Sequence, residues 1–404
     1  MKKRWSIILL LCFVAIVCWF FWSAKDKELT FVPQDADAVV LIDVKKASQK
    51  YLFTLAKHPS LWFTDGKGSS KNSGIRTPDY IQIFHLKNSS FTEWYSIFEI
   101  SDKNRFQKFL AEKGFELKNS MYRKDQFLVK VDGSRCVIGF SNKDFENKAK
   151  NIINAKRKTL DADDLIHNSV ASVSYFSTSK IFKFSVDLND NDIEIKTETD
   201  QDDFSQVISG LEKSTSFLKL QLDAKNIRIT SELFNKKLTD STEIKSVSAI
   251  AELEMVNDKI ITYGYDDNFN EVEKVSYQKI IQPNYSIAFK SSDADKTWAF
   301  FQKKKWINAQ NQLTLIPFQP NIVRQNGNEI SVISTKKPIK LEKNQSGNYI
   351  FIKNNPLLAS SSKTMTRTEK KIISKLDYLF YGNRSDYYYL KLQFIKEKFP
   401  VILR

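Results

Sequence analysis

The sequence predicts an α+β fold: an N-terminal transmembrane helix followed by two related α+β units, with antiparallel, hairpin-rich sheets and a few packed helices. Three observations lead there. Trp5–Trp22 reads WSIILLLCFVAIVCWFFW, without a charge or a strong helix breaker. Beyond it, short runs of alternating apolar and polar residues are separated by turn-forming residues. Tyr95–Asp102 then recurs as Tyr285–Asp293, and an aromatic helical pattern and a hairpin turn follow both copies.

The eighteen residues of the apolar stretch would reach ~27 Å as a helix, enough to cross the hydrocarbon core of a bilayer. Trp5 at one end and Trp19 and Trp22 at the other suit the interfacial positions of a membrane anchor. Lys2, Lys3 and Arg4 favour a cytoplasmic N-terminus. A cleaved signal peptide is the alternative, and Ala24 could precede the cut, but Trp22 is too bulky two residues earlier. A lipid-bearing cysteine would follow a small residue, whereas Cys12 follows Leu11 and Cys18 follows Val17. Either way the bulk of the chain is expected outside the cytoplasm, at the cell membrane, periplasmic in a Gram-negative envelope.

Residues 1–24 are thus the anchor, 25–160 a first α+β unit and 165–404 a second, enlarged one. In the first unit, Ala38–Val44 reads as a buried strand, and Ala47, Tyr51, Leu52 and Leu55 mark a helix. Strands follow at Tyr80–Leu86 and Trp94–Ile100, and Ser101-Asp102 caps a helix bearing Phe106, Phe109 and Leu110. Asp132-Gly133 turns a hairpin between Phe127–Val131 and Cys136–Phe140, and a polar helix over Lys143–Lys156 closes the unit. In the second, Val170–Phe176 opens as a strand, and hairpins join Phe184–Leu188 to Ile193–Thr197, Leu218–Leu222 to Ile227–Leu233, and Ala249–Met255 to Ile260–Tyr265. Asn326-Gly327 turns the hairpin of the repeat, a helix is expected over Thr366–Tyr381, and a tyrosine-rich strand over Tyr387–Ile395.

Chemistry is sparse. With 11 glycines and 9 prolines, glycine-rich phosphate loops are not a theme, and no nucleophile elbow or dinucleotide fingerprint occurs. His58, His85 and His167 have no metal-ligand spacing, and Cys136 lies in the apolar run Cys-Val-Ile-Gly-Phe, as a buried strand residue would. Asp187, Asn189, Asn191 and Glu198 imitate a calcium loop, but Asp192 stands where that loop needs glycine, and the flanks alternate like strands. No catalytic residue, metal ligand or cofactor is therefore expected. The net charge is +15; Lys2, Lys3 and Arg4 supply three of these charges and the first 24 residues hold no acid, which leaves +12 on the rest. Lys303, Lys304, Lys305, Lys336, Lys337 and Lys370 are the candidate contacts to an anionic lipid or wall polymer; nucleic acid is not an expected partner.

The anchor followed by Phe31-Val32-Pro33-Gln34-Asp35-Ala36-Asp37-Ala38-Val39-Val40 resembles the opening of a loose set of uncharacterised bacterial single-pass anchored envelope proteins. The pieces that match are Pro33–Val44, Ser101–Phe115 and Ser292–Trp306, where a strand leads into an Asp-started helix. The resemblance implies an envelope protein with no catalytic residues to carry over. A non-catalytic protein that binds or scaffolds another envelope macromolecule is the expectation; electrostatic attachment or a hydrolase without a recognisable motif is the alternative.

Overall fold

A computed structural model describes residues 25–58, 73–177, 180–197, 204–233, 243–315, 320–341, 347–361, 370 and 373–403. The predicted anchor, with Trp5, Trp19 and Trp22, lies outside them. The fold class needs correction. Strands dominate, the longest helix has 13 residues, and among the described residues no helix is long and apolar enough to cross a membrane.

The chain divides into two compact units, Met1–Lys183 and Phe184–Arg404. Unit 1 runs β1 (Ala36–Asp43), α1 (Val44–Ala56), β2 (Tyr80–Leu86), β3 (Trp94–Glu99), α2 (Lys103–Glu112), β4 (Glu116–Lys118), β5 (Met121–Lys124), β6 (Phe127–Asp132), β7 (Arg135–Phe140), α3 (Phe145–Asn154) and β8 (Ala171–Phe176). Its strands pair antiparallel in the order β8-β1-β2-β3-β7-β6-β5-β4. Val39 and Leu41 alternate inward from β1 onto Phe84, Tyr95 and Ile97. Phe145, Ala149 and Ile152, spaced along one face of α3, cover the same core. A second cluster seats Phe106 and Leu110 of α2 on Tyr122, Val129 and Cys136.

Unit 2 takes Phe184–Leu188 of β9 (Ile181–Leu188), then β10 (Asp192–Thr197), α4 (Ser205–Glu212), β11 (Leu218–Asp223), α5 (Ala224–Leu233), β12 (Ile244–Tyr265), β13 (Glu271–Ser291) and α6 (Ala294–Lys303). It continues through β14 (Asn321–Asn326), β15 (Glu329–Ser334), β16 (Asn348–Lys353), α7 (Pro356–Ser361), β17 (Leu376–Arg384) and β18 (Tyr387–Phe394). Its order is β9-β10-β18-β17-β16-β11-β12-β13-β15-β14, again antiparallel throughout. Phe301 of α6 and Val323, Ile330 and Val332 build one core, and Phe204, Leu211, Phe351 and Phe380 another.

Six strands of each unit share one topology. The order β8-β1-β2-β3-β7-β6 is matched by β16-β11-β12-β13-β15-β14, with a helix after the first strand and another after the third. Each of the four helices starts at an aspartate whose carboxylate accepts a backbone N–H three residues on. The pairs are Asp43 with Lys46 (2.9 Å), Asp102 with Arg105 (3.0 Å), Asp223 with Asn226 (2.8 Å) and Asp293 with Lys296 (2.9 Å). Asp102→Ala and Asp293→Ala are each expected to cost about 1 kcal/mol in urea denaturation. Asp43 is 2% exposed and also holds Lys25 in an ion pair, so Asp43→Ala should cost roughly 3 kcal/mol. Equal losses at the three positions would contradict this account.

Three further expectations fail for physical reasons. Ile227–Leu233 is part of α5, not a strand: the Asp223 cap starts a helix that buries Ile227, and this outweighs the β-branched alternation Ile-Arg-Ile-Thr. Leu376–Tyr381 belongs to β17, not a helix, because Tyr378 and Phe380 alternate into the core with period two. Val256-Asn257-Asp258-Lys259 is not a turn; β12 runs straight through it to Tyr265.

Candidate functional site

That uninterrupted run produces a long, largely exposed two-stranded ribbon. β11 accompanies β12 only over Ser246–Ala251, and β15 accompanies β13 only over Ser286–Lys290. From Glu252↔Asn284 to Tyr265↔Glu271, fourteen cross-strand rows have no third strand beside them among the described residues. At ~3.3 Å per residue the ribbon is about 45 Å long, and both of its edges offer unpaired backbone groups. Residues directly opposite share a face, so Met255, Ile261, Tyr263, Tyr265, Val275 and Tyr277 all point the same way. Tyr263, Tyr265 and Tyr277 are 68%, 71% and 70% exposed. Val256, Ile260, Val272 and Ile280, on the opposite face, are only half-buried.

The tip is a built turn. Asp266 accepts the backbone N–H of Asn268 (2.9 Å) and Asn270 (2.8 Å), and these bonds hold its carboxyl below the usual range. Phe269 stands 87% exposed with φ +61°, a left-handed conformation that a bulky side chain rarely takes. Over 252–284 seven acids outnumber three lysines, so the ribbon carries −4 in a chain of +15. At its root, Lys336 donates to Gln282 (3.2 Å) and Lys337 to Glu252 (3.5 Å). These two candidate lysines brace the ribbon. Lys303 ends α6, Lys304 follows as its cap with its ammonium 5.7 Å from the Phe300 ring, and Lys305 turns away with φ +58°. Among the described residues no ion pair or hydrogen bond joins that run to Lys336, Lys337 or the exposed Lys370.

A second constellation imitates a hydrolase. His85 Nδ1 lies 2.7 Å from Asp37 Oδ1, and Ser89 Oγ lies 3.2 Å from His85 Nε2. The Ser90 carbonyl, however, sits closer, 2.9 Å from Nε2, while Ser89 donates to the Leu86 carbonyl at 2.7 Å. Nε2 thus faces a backbone carbonyl as well as Ser89, and the Ser89 hydroxyl is turned to another carbonyl, so the hydroxyl-to-base bond that a serine nucleophile needs is not made. The cluster ties the β2–β3 turn to β1. Ser89→Ala should change stability by less than about 0.5 kcal/mol, whereas His85→Ala orphans Asp37 and the Ser90 carbonyl and should cost about 2–3 kcal/mol. Esterase activity lost with Ser89→Ala would overturn the structural role.

A groove of about 280 Å³ in unit 1 is lined by Asp26, Glu28, Arg76, Asp79, Tyr80 and Glu99 among others. Three of its four carboxylates are already engaged: Asp79 accepts the Asp26 N–H (2.9 Å), Asp26 that of Glu28 (3.1 Å), and Glu99 pairs with Arg76 (3.2 Å). Among the described residues no three His, Cys, Asp or Glu side chains stand together as a metal cluster. Cys136 is fully buried in β7, and burial pushes its thiol up to about 12, away from nucleophilic use. His58 Nδ1 meets the Thr54 carbonyl at 2.8 Å, at the end of α1. The Asp187–Asp192 acids lie in the β9–β10 hairpin, as their alternating flanks predicted. Tyr387 and Tyr389 stack on Phe204 while Tyr388 faces Phe184, so this half-buried tyrosine run has aromatic partners on both sides.

No family model matches the chain, and no curated protein does. Among solved structures, crystal form III of TP0453 aligns over 77% of this chain and 94% of its own, at 10% identity and a TM-score of 0.25. Crystal form I of TP0453 aligns over 77% and 92%, at 9% identity and a TM-score of 0.22. Likeness at that level carries no argument about fold or function.

Proposed function

We propose that this chain is a non-catalytic envelope protein that binds or scaffolds another envelope macromolecule through the β12–β13 ribbon. The observation that carries the reading is the ribbon's single aromatic face, exposed from Met255 to Tyr265 and Glu271 with no third strand beside it among the described residues. A two-stranded ribbon alone in water is marginal, and such a face is costly to leave wet. The envelope location rests on the sequence of residues 5–22 alone. The rival hydrolase reading loses support because the Ser89 hydroxyl donates to the Leu86 carbonyl and His85 Nε2 lies closer to the Ser90 carbonyl than to Ser89.

The test is a shortened chain in which residues 253–283 are replaced by a tight turn joining Glu252 to Asn284. In-cell crosslinking of tagged parent and shortened chains, followed by mass spectrometry, should show an envelope macromolecule with the parent only. Equal capture by both chains would sink the proposal.

A further inference from the structure

The exposed face of the ribbon is patterned along its length, and the pattern fits itself. Beyond Leu253–Pro283 at the root, its rows toward the tip are Met255–Ile281, Asn257–Lys279, Lys259–Tyr277, Ile261–Val275, Tyr263–Glu273 and Tyr265–Glu271. Both acids occupy the two outer rows, and both lysines sit in the inner half, closer to the root. Each charge lies among apolar neighbours on a face that water now covers.

We infer that the ribbon's aromatic face docks on the same face of a second copy of this chain, antiparallel, about a two-fold axis between Lys259–Tyr277 and Ile261–Val275. The inference rests on the proposed docking role of the ribbon and names its occupant. In that register Met255–Ile281 of one copy covers Tyr265–Glu271 of the other, and Lys279 meets Glu273 twice, once on each side of the axis. A parallel two-fold arrangement would instead lay each row on itself with the strands exchanged, Glu273 over Tyr263 and Lys279 over Asn257, and would bring no opposite charges together. The closed two-fold contact is one that identical surfaces can make without growing into a filament. An anionic bilayer is a poorer occupant, because Asp266, Asp267, Glu271 and Glu273 crowd the tip. Six rows of a two-stranded ribbon cover roughly 400 Å² on each copy, at the weak end of specific interfaces. The association is therefore concentration-dependent, and Lys259, 4.0 Å from Glu273 in its own copy, offers only loose competition for that carboxylate.

The test uses the full-length chain in cells, with a photoreactive residue in place of Tyr265. Irradiation should give a covalent dimer whose crosslink maps to Met255 or Ile281 of the other copy. Glu273→Lys and Lys279→Glu should each lower the dimer yield about tenfold, since each sets like charges together at both contacts. The double variant Glu273→Lys/Lys279→Glu should restore it. Both side chains are exposed, so none of these changes threatens folding. Ribbon-dependent crosslinks to other macromolecules without a dimer would overturn the inference and leave the docking role standing. Dimers indifferent to the charge changes would also overturn it. Crosslinking from elsewhere in the chain that is unaffected by removal of the ribbon would defeat the docking role itself.

Discussion

Gly74→Ala should lower the stability of unit 1 by roughly 4 kcal/mol, a drop of about 10 °C in its melting temperature. Gly74 has φ +70°, and a Cβ added there would lie 2.3 Å from the Asp102 carbonyl oxygen and 2.6 Å from the Phe106 nitrogen. Both neighbours are backbone and cannot swing aside. The Gly74 carbonyl also accepts the backbone N–H of Ser101 (2.9 Å) and Asp102 (3.1 Å), so the clash lands where β3 hands over to α2. Phe106, seated one turn further on, would lose its place in the core. Gly133 supplies the control. Its φ is +56° but a Cβ would meet nothing within 4 Å, so Gly133→Ala should cost only the left-handed strain, about 1 kcal/mol. Thermal unfolding of the two variants beside the parent measures the difference, and equal effects would show that close approach at Gly74 does not matter.

The contrast between those glycines bears on what a sequence shows. Asp132-Gly133 and Asn326-Gly327 are legible because a tight turn needs a residue tolerant of positive φ between two apolar runs, and both hairpins turn there. The repeat was visible for a similar reason: a strand, an aspartate and an aromatic helix form a local grammar, and Asp102 and Asp293 cap their helices alike. Asp43 and Asp223 extend the same grammar to the other helix of each unit, and Asp223 could have been found by asking which aspartates precede a run with helical spacing.

What stayed hidden depends on partners distant in sequence. Asn257-Asp258 has turn-forming residues but no position that must take positive φ, and facing strand residues keep it extended. The true turn at Asp266–Asn270 uses Phe269 at φ +61°, a residue that no turn rule selects. Period two in Leu376–Gly382 was masked by apolar residues on both parities, and only burial of Tyr378 and Phe380 decides between strand and helix. The ribbon's one-sided aromatic face follows from register, which pairs residue 255 with 281 and 263 with 273, and register cannot be read before the turn is placed. The Asp37–His85 contact is likewise a product of β1 lying beside β2.

Alkaline unfolding is the second large effect expected. Tyr80 and Tyr381 are each pushed up to about 12 from the ordinary 10.0, mainly by burial, with the charge of Asp43 next for Tyr80 and that of Tyr388 for Tyr381. Tyr95, Tyr378 and Tyr389 are raised further, again mainly by burial; Tyr378 and Tyr389 are also held by bonds to Glu212 and Glu194. In each case the folded state keeps a proton that the unfolded chain releases. The stabilisation from each group is complete below pH 10 and is lost as the pH rises through the folded value. A shift of two units corresponds to about 3 kcal/mol, so several tyrosines acting together should unfold a domain of ordinary stability before pH 12. Urea midpoints should hold level from pH 8 to about 9.5 and fall steeply above, with tyrosinate absorbance appearing together with unfolding. Tyr389→Phe removes a hydroxyl bonded to Glu194 at 2.7 Å and should make the fall shallower, at some loss of stability at neutral pH. Tyrosinate appearing near pH 10 in a chain that stays folded would mean that these hydroxyls reach water, and the packing of Tyr378 and Tyr389 about Phe204 and Phe380 would then need to be redrawn.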